Sequence, residues 1–388
     1  MSDPLINTLY LIFHGRFPGE KAAAVFAAES AQAFADNGFS VTVVVPRRLA
    51  RLKESVEQCY GIKGNFRTVF VPILDLFEIP LVKTMAFKIS YSTFSISTFF
   101  YILFSAKRRH TVIYSNESLP LLLLSFFFPN TFYEVHDFPR HSLLHRILLS
   151  LVKGVIVTNR SKKGELARQF GLADRKLFYE PNAVDVEGFA KAIGVTVRKK
   201  LNLSPGTVLV GYAGALKTMG MEKGIGLLLE AVASLPPRFR LLIVGGNTDD
   251  VSAYKAVSRT LHISDRVAFV GWVRHSEVSE YLAACDILVA PFPDTPHYRF
   301  LMSPLKIFEY MAAGKPIVAS RLESITELLN DDSAYLVTPG DGKFLAQGIQ
   351  TAASSPDART KALHAKELVQ NHSWNKRARR IIDFFGKY

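Results

Sequence analysis

Apolar and β-branched residues gather in short runs of strand length, and stretches with helical spacing separate the runs. Residues 8–13 form the first run, and the loop His14-Gly15-Arg16-Phe17-Pro18-Gly19-Glu20-Lys21 follows it. Residues 22–37 are alanine-rich and predict a helix stopped by Gly38; residues 40–45 predict the next strand. This strand–loop–helix–strand order opens a parallel sheet, in which the loop after the first strand faces the ligand crevice. Further strands are predicted at 68–71, 112–115, 131–135, 155–157 and 177–179, with a helix at 161–170.

The second half repeats the alternation. Strands are predicted at 208–213, 240–244, 267–270, 287–290, 316–319 and 334–337. Helices lie between them, notably at 224–235, 276–283, 305–313 and 324–329. The expected fold is α/β, with two doubly wound Rossmann-like domains, 1–185 and 186–370, facing across a cleft that takes a small ligand. Pro181-Asn182-Ala183-Val184-Asp185 reads as the turn between them. Residues 371–388 read as a basic terminal helix that packs back onto the first domain.

Three segments of the first half are richer in apolar residues than a buried sheet requires. Residues 81–104 abound in Phe, Ile, Ser and Tyr and end at Lys107-Arg108-Arg109. Residues 119–128 are an unbroken apolar run, far short of the roughly 20 residues a membrane span needs, and read as a buried helix or strand. Residues 140–153 carry Leu143, Leu144, Ile147, Leu148 and Leu151 at helical spacing, with Arg140, His141, His145 and Arg146 between them. That helix either packs on the sheet or lies on a membrane surface.

Composition bounds the function. A chain of 388 residues with 48% hydrophobic and 21% charged residues is globular and of two-domain size. The net charge of +13 is spread over both halves, unlike a basic tail. No zinc-finger spacing or aromatic RNA-binding motif accompanies it, so no nucleic-acid partner is expected, whereas an anionic membrane or a polyphosphorylated small molecule fits. Cys59 and Cys285 are far apart and match no metal spacing, which suits a reducing compartment. The first residues predict no secretory signal, so the expected location is cytoplasmic, with the inner face of the cell membrane as a second setting.

Candidate chemistry centres on residues 303–320, a capped helix, a glycine stop and a buried strand. Ser303 is the expected N-cap and Pro304 the first helical residue. A helix start offers open N–H groups and a positive dipole end to a phosphate. Glu309 lies too deep for the phosphates and within reach of a ribose hydroxyl; it equally suits a surface position on an ordinary helix. Gly211-Tyr212-Ala213-Gly214-Ala215-Leu216-Lys217 follows a strand, and Lys223-Gly224 opens the next helix. Lys217 and Lys223 either neutralise a diphosphate or are solvated loop lysines. Ile243-Val244-Gly245-Gly246-Asn247 and Phe269-Val270-Gly271-Trp272-Val273 are further strand-end turns. His136-Asp137 ends a strand, where crevice residues gather. There is no metal-ligand spacing, Walker A, G-x-S-x-G or G-x-G-x-x-G motif.

In this order the motifs resemble those of the GT-B glycosyltransferases of family 4, which are retaining and nucleotide-sugar-dependent. Pro18-Gly19-Glu20-Lys21-Ala22 resembles the family's first loop, His136-Asp137 its strand-end pair, and Pro181 to Asp185 its junction motif P-N-G-V-D. Gly214 to Lys223-Gly224 resembles the glycine loop and phosphate lysine, 303–320 the most diagnostic segment, and Trp374 begins the typical tail helix. The chain departs from the family at Leu301, where a first glutamate often stands, and at Ala215, where an arginine is usual; Lys217 is the residue to take that arginine's place.

The resemblance implies a donor that is a UDP- or GDP-sugar, a glycan or lipid-linked acceptor, and neither a required cofactor nor a catalytic metal. It implies His136, Lys223 and Glu309 as the central residues. Gly19, Gly214, Lys217, Gly245, Gly271, Val273, Ser303, Leu305 and Lys306 would surround the donor. The basic and apolar first half, for its part, fits peripheral contact with an anionic membrane, and the expected setting is cell-surface polysaccharide or glycolipid synthesis. Two other readings stay open: a nucleotide-sugar epimerase of GT-B fold, and a degenerate binding subunit, motivated by Leu301 and Ala215.

Overall fold

The computed structural model describes residues 6–49, 52–76, 83–218 and 220–387. The chain divides into two compact units, residues 1–181 with 374–388, and residues 182–373. Each is an α/β layer structure built on one parallel sheet.

In the first unit the strands are β1 (Thr8–Ile12), β2 (Ser40–Pro46), β3 (Arg67–Val71), β4 (Thr111–Ser115), β5 (Thr131–Val135), β6 (Gly154–Val157) and β7 (Leu177–Tyr179). Their order is β3-β2-β1-β4-β5-β6-β7, all parallel. Buried on both faces, these strands read as nearly continuous Val, Ile and aromatic runs. The order reverses between β1 and β4, so the loops after these two strands part and leave a crevice at their C-terminal ends.

Tyr10, Ile12, Ile113, Tyr133, Val135 and Val155 pack against Phe94, Ile102, Leu121, Leu124 and Leu148. These come from helices Lys83–Ser105, Ser118–Ser125 and Leu143–Leu151, which lie side by side. The alternate strand residues face helices Ala22–Asp36 and Trp374–Phe385, where Phe385 stacks on Phe34 and meets Phe132 at a centroid distance of 4.2 Å. The terminal helix thus contributes buried aromatics to a core formed by residues more than 200 positions earlier in the sequence. Its Arg377, 2% exposed, donates to Glu134 Oε1 and to the Pro181 carbonyl.

The second unit contains β8 (Val208–Ala213), β9 (Lys217–Thr218), β10 (Met221–Glu222), β11 (Phe239–Val244), β12 (Val267–Gly271), β13 (Ile287–Ala290), β14 (Ile317–Ser320) and β15 (Tyr335–Val337). Its parallel sheet has the order β12-β11-β8-β13-β14-β15, and β9 and β10 form a small antiparallel hairpin. The reversal here lies between β8 and β13. Among the described residues no helix is long and apolar enough to cross a membrane.

Residues 119–128, expected as a buried helix or strand, form the helix Ser118–Ser125, which is less covered than expected: Phe126 and Phe127 at its end are exposed. The hairpin β9–β10 was not predicted, because two-residue strands carry no readable period.

Candidate functional site

The helix Leu305–Ala313 is fastened across the reversal point of the second sheet. Tyr310, fully buried, accepts from the Ala213 amide at 2.9 Å, at the end of β8, and donates to the Val289 carbonyl of β13 at 3.4 Å. One tyrosine in the body of the helix therefore ties it to both strands that flank the reversal point. Gly314, in the left-handed conformation at φ 64°, stops the helix before β14.

The cap of this helix corrects the sequence reading. Ser303 is not the N-cap and Pro304 is not the first helical residue. Pro304 is itself the cap, extended at φ −78° and ψ 122°, and its carbonyl accepts from the Ile307 amide at 3.1 Å. Because Pro304 is itself extended, the helix starts one residue later and Ser303 lies too early to cap it. No side chain occupies the amides of the first turn. Ser303 instead offers its carbonyl to the Asn182 side-chain amide, which pins the turn ahead of the helix.

Lys306 lies in that first turn and points inward. It is 7% exposed, and its Nζ has no hydrogen-bond partner. The ammonium sits 3.5 Å from the centre of the Tyr212 ring and 5.2 Å from that of Phe292. Burial, and next the positive charge of Lys223, hold its pKa well below the ordinary lysine value, while Glu309 opposes them. Lys223, just after β10, is pushed down to about 8 by desolvation. Two lysines that sense each other, both poorly hydrated, create a local demand for an anion.

Glycines let the backbone close around this point. Gly214 ends the β8 turn at φ 125°, and a side chain there would meet the Lys306 ammonium at 3.3 Å. Gly245, at φ 105°, comes so close to Gly214 that a Cβ would lie 2.5 Å from its carbonyl oxygen. The Gly245 amide donates to the Gly271 carbonyl at 2.6 Å, so the strand-end turns of β8, β11 and β12 are contiguous. Val273 packs half-buried beyond Gly271.

Glu309 has a partner that sequence reading missed. His275 Nε2 and Glu309 Oε1 are 3.0 Å apart, and both side chains are largely covered. No local signal announces this pair, because helix His275–Ala284 reaches Glu309 only through the strand order. Lys217 turns to Asp250, at 3.5 Å, and lies 5.9 Å from the Tyr254 ring centre. Ahead of the helix, Leu301 ends a π-helical turn, His297–Leu301, whose Arg299 pairs with Asp294 and Glu323. Wide turns of this kind are frequent at functional sites.

The first unit has its own polar cluster at its reversal point. His14, following β1, donates its backbone amide to Glu117 Oε1, following β4, at 2.9 Å. The His14 ring is 5% exposed, 3.2 Å from Ser90 Oγ and 3.3 Å from the Arg48 guanidinium, which also pairs with Asp75. Burial, and next Arg48, depress His14 to about 4. Glu117 retains some accessible surface, but its carboxyl is enclosed, and desolvation pushes it up to about 7. Sequence reading placed this loop at the crevice but did not single out His14 or Glu117.

His136 lies near this crevice and is held from behind. Its Nε2 is 3.0 Å from Glu134 Oε1, and its ring meets Phe26 edge-on at 4.4 Å. Burial works against ionisation of Glu134, but Arg377 and His136 outweigh it and keep the carboxyl below its usual range. Gly19 is occupied locally: its amide donates to Tyr60 Oη at 2.7 Å, and a Cβ would strike the Arg16 carbonyl. His136 and Gly19 belong to the first unit and the Lys223–Lys306–Glu309 group to the second. Among the described residues, no three His, Cys, Asp or Glu side chains converge as metal ligands.

Residues 207–355 match the family model described as glycosyl transferases group 1. The chain is similar to the D-inositol 3-phosphate glycosyltransferase of Stackebrandtia nassauensis, with 26% identity over 60% of this chain and 53% of that protein. It spans about half the length of the curated relatives it matches. Its fold is similar to that of sucrose-phosphate synthase from Thermosynechococcus elongatus, with a TM-score of 0.79 at 21% identity, covering 98% of each chain. It is also similar to that of Anabaena HepE solved with UDP-glucose, with a TM-score of 0.74 at 18% identity, covering 98% of this chain and 100% of that one. The two parallel Rossmann-like sheets thus give the chain the GT-B fold of these neighbours, and residues 207–355 match the group 1 glycosyl transferases.

Proposed function

We propose that this chain is a retaining glycosyltransferase that moves a sugar from a nucleoside-diphosphate sugar to a glycan or lipid-linked acceptor. The observation that carries the reading is Lys306, a buried ammonium without a hydrogen-bond partner, beside a second desolvated lysine and below an uncapped helix start. A nucleoside diphosphate would supply the missing negative charge. The Leu305 and Lys306 amides, the helix dipole, Lys306 and Lys223 would stabilise it as it leaves. Pro304 has no N–H and only shapes the turn.

Glu309 would accept hydrogen bonds from the ribose hydroxyls, and the Gly271–Val273 turn would flank the base. In the transfer itself the bond from the sugar's anomeric carbon to the diphosphate breaks as the acceptor oxygen attacks from the same face. The acceptor's proton passes to the departing phosphate oxygen, so no protein nucleophile is required. On the acceptor side His136 is the proposed contact, with Glu134 fixing its ring. HepE, of the same fold, was solved with UDP-glucose, which makes a UDP-sugar the first donor to test.

Thermal-shift screening of UDP, GDP and their sugars, followed by assay of nucleotide release with candidate acceptors, tests the reading. The wild type is expected to be stabilised by one nucleotide and to release it only as sugar is transferred. Lys223→Ala and Glu309→Ala are each expected to abolish transfer with the fold intact; full activity in both would sink the site. Interconversion of the donor without acceptor would identify an epimerase instead, and nucleotide binding without turnover a binding subunit.

A further inference from the structure

The first unit carries an exposed apolar surface that donor binding does not use. About half of the large apolar side chains exposed among the described residues come from 83–153. On helix Lys83–Ser105, Phe94 and Ile102 face the core, while Ile96, Phe100 and Phe104 recur every four residues on the opposite side, with Phe104 83% exposed. The helix is thus apolar on both faces, which a water-exposed helix is not. Phe126 and Phe127 extend the stripe, with Phe127 packed on Phe99 at 5.3 Å. The neighbouring helix adds Leu143, Ile147 and Leu151, Leu143 being 74% exposed.

Charge accompanies this surface and has one sign. Lys88, Lys107, Arg108, Arg109 and Arg146 are exposed along it, and Arg108 lies 5.6 Å over the Phe127 ring. None of the three helices contains an Asp or Glu. Between residues 83 and 153 the acids are Glu117, enclosed beside His14, Glu134, buried on Arg377, and Asp137 at the crevice end.

We propose that the outer face of helices Lys83–Ser105, Ser118–Ser125 and Leu143–Leu151 docks on an anionic lipid bilayer. Aromatic and aliphatic side chains enter the interface while the surrounding Lys and Arg meet lipid phosphates. A second copy of the chain fits this face poorly. A symmetric contact would bring the basic residues of both copies together with no carboxylate on these helices to answer them. The face begins at Phe87, whose ring lies 5.6 Å from that of His14 at the crevice, and runs roughly 25 Å along the helix to Phe104. A lipid-linked acceptor could therefore present its headgroup at the crevice while its tail stays in the bilayer. This deepens the reading of the chain as a glycosyltransferase by making its acceptor membrane-borne, and its test needs neither donor nor acceptor.

The test is flotation of the full chain with vesicles of phosphatidylcholine alone or containing about a third phosphatidylglycerol. The wild type is expected to float with the anionic vesicles, less so as salt rises. The triple variant Phe100→Ser, Phe104→Ser, Phe126→Ser and the triple variant Lys107→Gln, Arg108→Gln, Arg109→Gln are each expected to partition about tenfold more weakly. Both change exposed residues, and an unchanged melting temperature shows that they fold. Wild type left in the bottom fraction, or variants that float as well as wild type, would overturn the proposal. So would a wild-type dimer in gel filtration that the phenylalanine variant dissociates, which would make a second copy the occupant. Vesicle binding by a chain that binds no nucleotide would leave this proposal standing and remove the donor-site reading.

Discussion

The Lys306 ammonium lies 3.5 Å from the centre of the Tyr212 ring, buried and without a hydrogen-bond partner. The ring face compensates only part of the desolvation of the lysine. Lys306→Met keeps the volume and removes the charge. It is expected to leave the unfolding free energy unchanged or raise it by about 1 kcal/mol, because replacing a poorly compensated buried charge by an apolar side chain is often stabilising. Urea unfolding measures this; a large loss of stability would mean that Lys306 serves the fold rather than a ligand.

Lys223 gives binding a pH dependence. Its pKa is about 8 in the free protein because burial disfavours the ammonium. A bound diphosphate favours the charged form and raises that pKa. The contribution of Lys223 to nucleotide affinity is therefore expected to be flat below pH 8 and to fall above it, by up to about tenfold per pH unit. Calorimetry at pH 8.5 in two buffers of different ionisation enthalpy should show proton uptake on binding. Identical heats in both buffers would remove Lys223 from the phosphate site.

Much of this architecture is legible along the chain. Runs such as residues 131–135 and 208–213 are dense enough in β-branched and aromatic residues to declare themselves, and their alternation with helical spacing gives two parallel sheets. The glycine turns and the helix at 305–313 point to Lys223, Lys306 and Glu309 as candidates, and strand order brings the elements that carry them to one reversal point. Pairings between distant residues are not legible: His275 meets Glu309, and His14 meets Glu117, only because of which strands lie side by side. The helix Lys83–Ser105 escapes a pattern reading because apolar residues occupy both of its faces. The cap at Pro304 escapes it because Ser-Pro reads equally as a cap followed by a first helical residue or as an extended pair.

Arg377 ties the terminal helix to the sheet through Glu134. Arg377→Ala would leave that carboxylate buried with only His136 beside it, at a cost of about 3–5 kcal/mol. Arg377→Lys should restore part of the loss. Denaturant midpoints measure both; a loss below about 1 kcal/mol for Arg377→Ala would show the ion pair to be dispensable.

His14 and Glu117 act on stability in opposite directions. His14, depressed to about 4, binds fewer protons folded than unfolded, so its contribution falls as pH drops from about 6.5 towards 4. Glu117, raised to about 7, binds more protons folded, so its contribution falls as pH rises from about 4.5 to 7. Each masks the other. In Glu117→Gln stability should rise with pH across this window, and in His14→Gln it should fall. Denaturant midpoints between pH 4.5 and 7 test both signs; parallel slopes in the two variants would contradict the account.

The most direct measurement is calorimetric titration of UDP and of GDP onto the wild type and Lys306→Met. The account predicts that one nucleotide binds the wild type and that Lys306→Met weakens it by about a hundredfold, as expected for losing a charge-assisted hydrogen bond in a buried site. Equal affinity in the two proteins, or no binding of either nucleotide to the wild type, would contradict it.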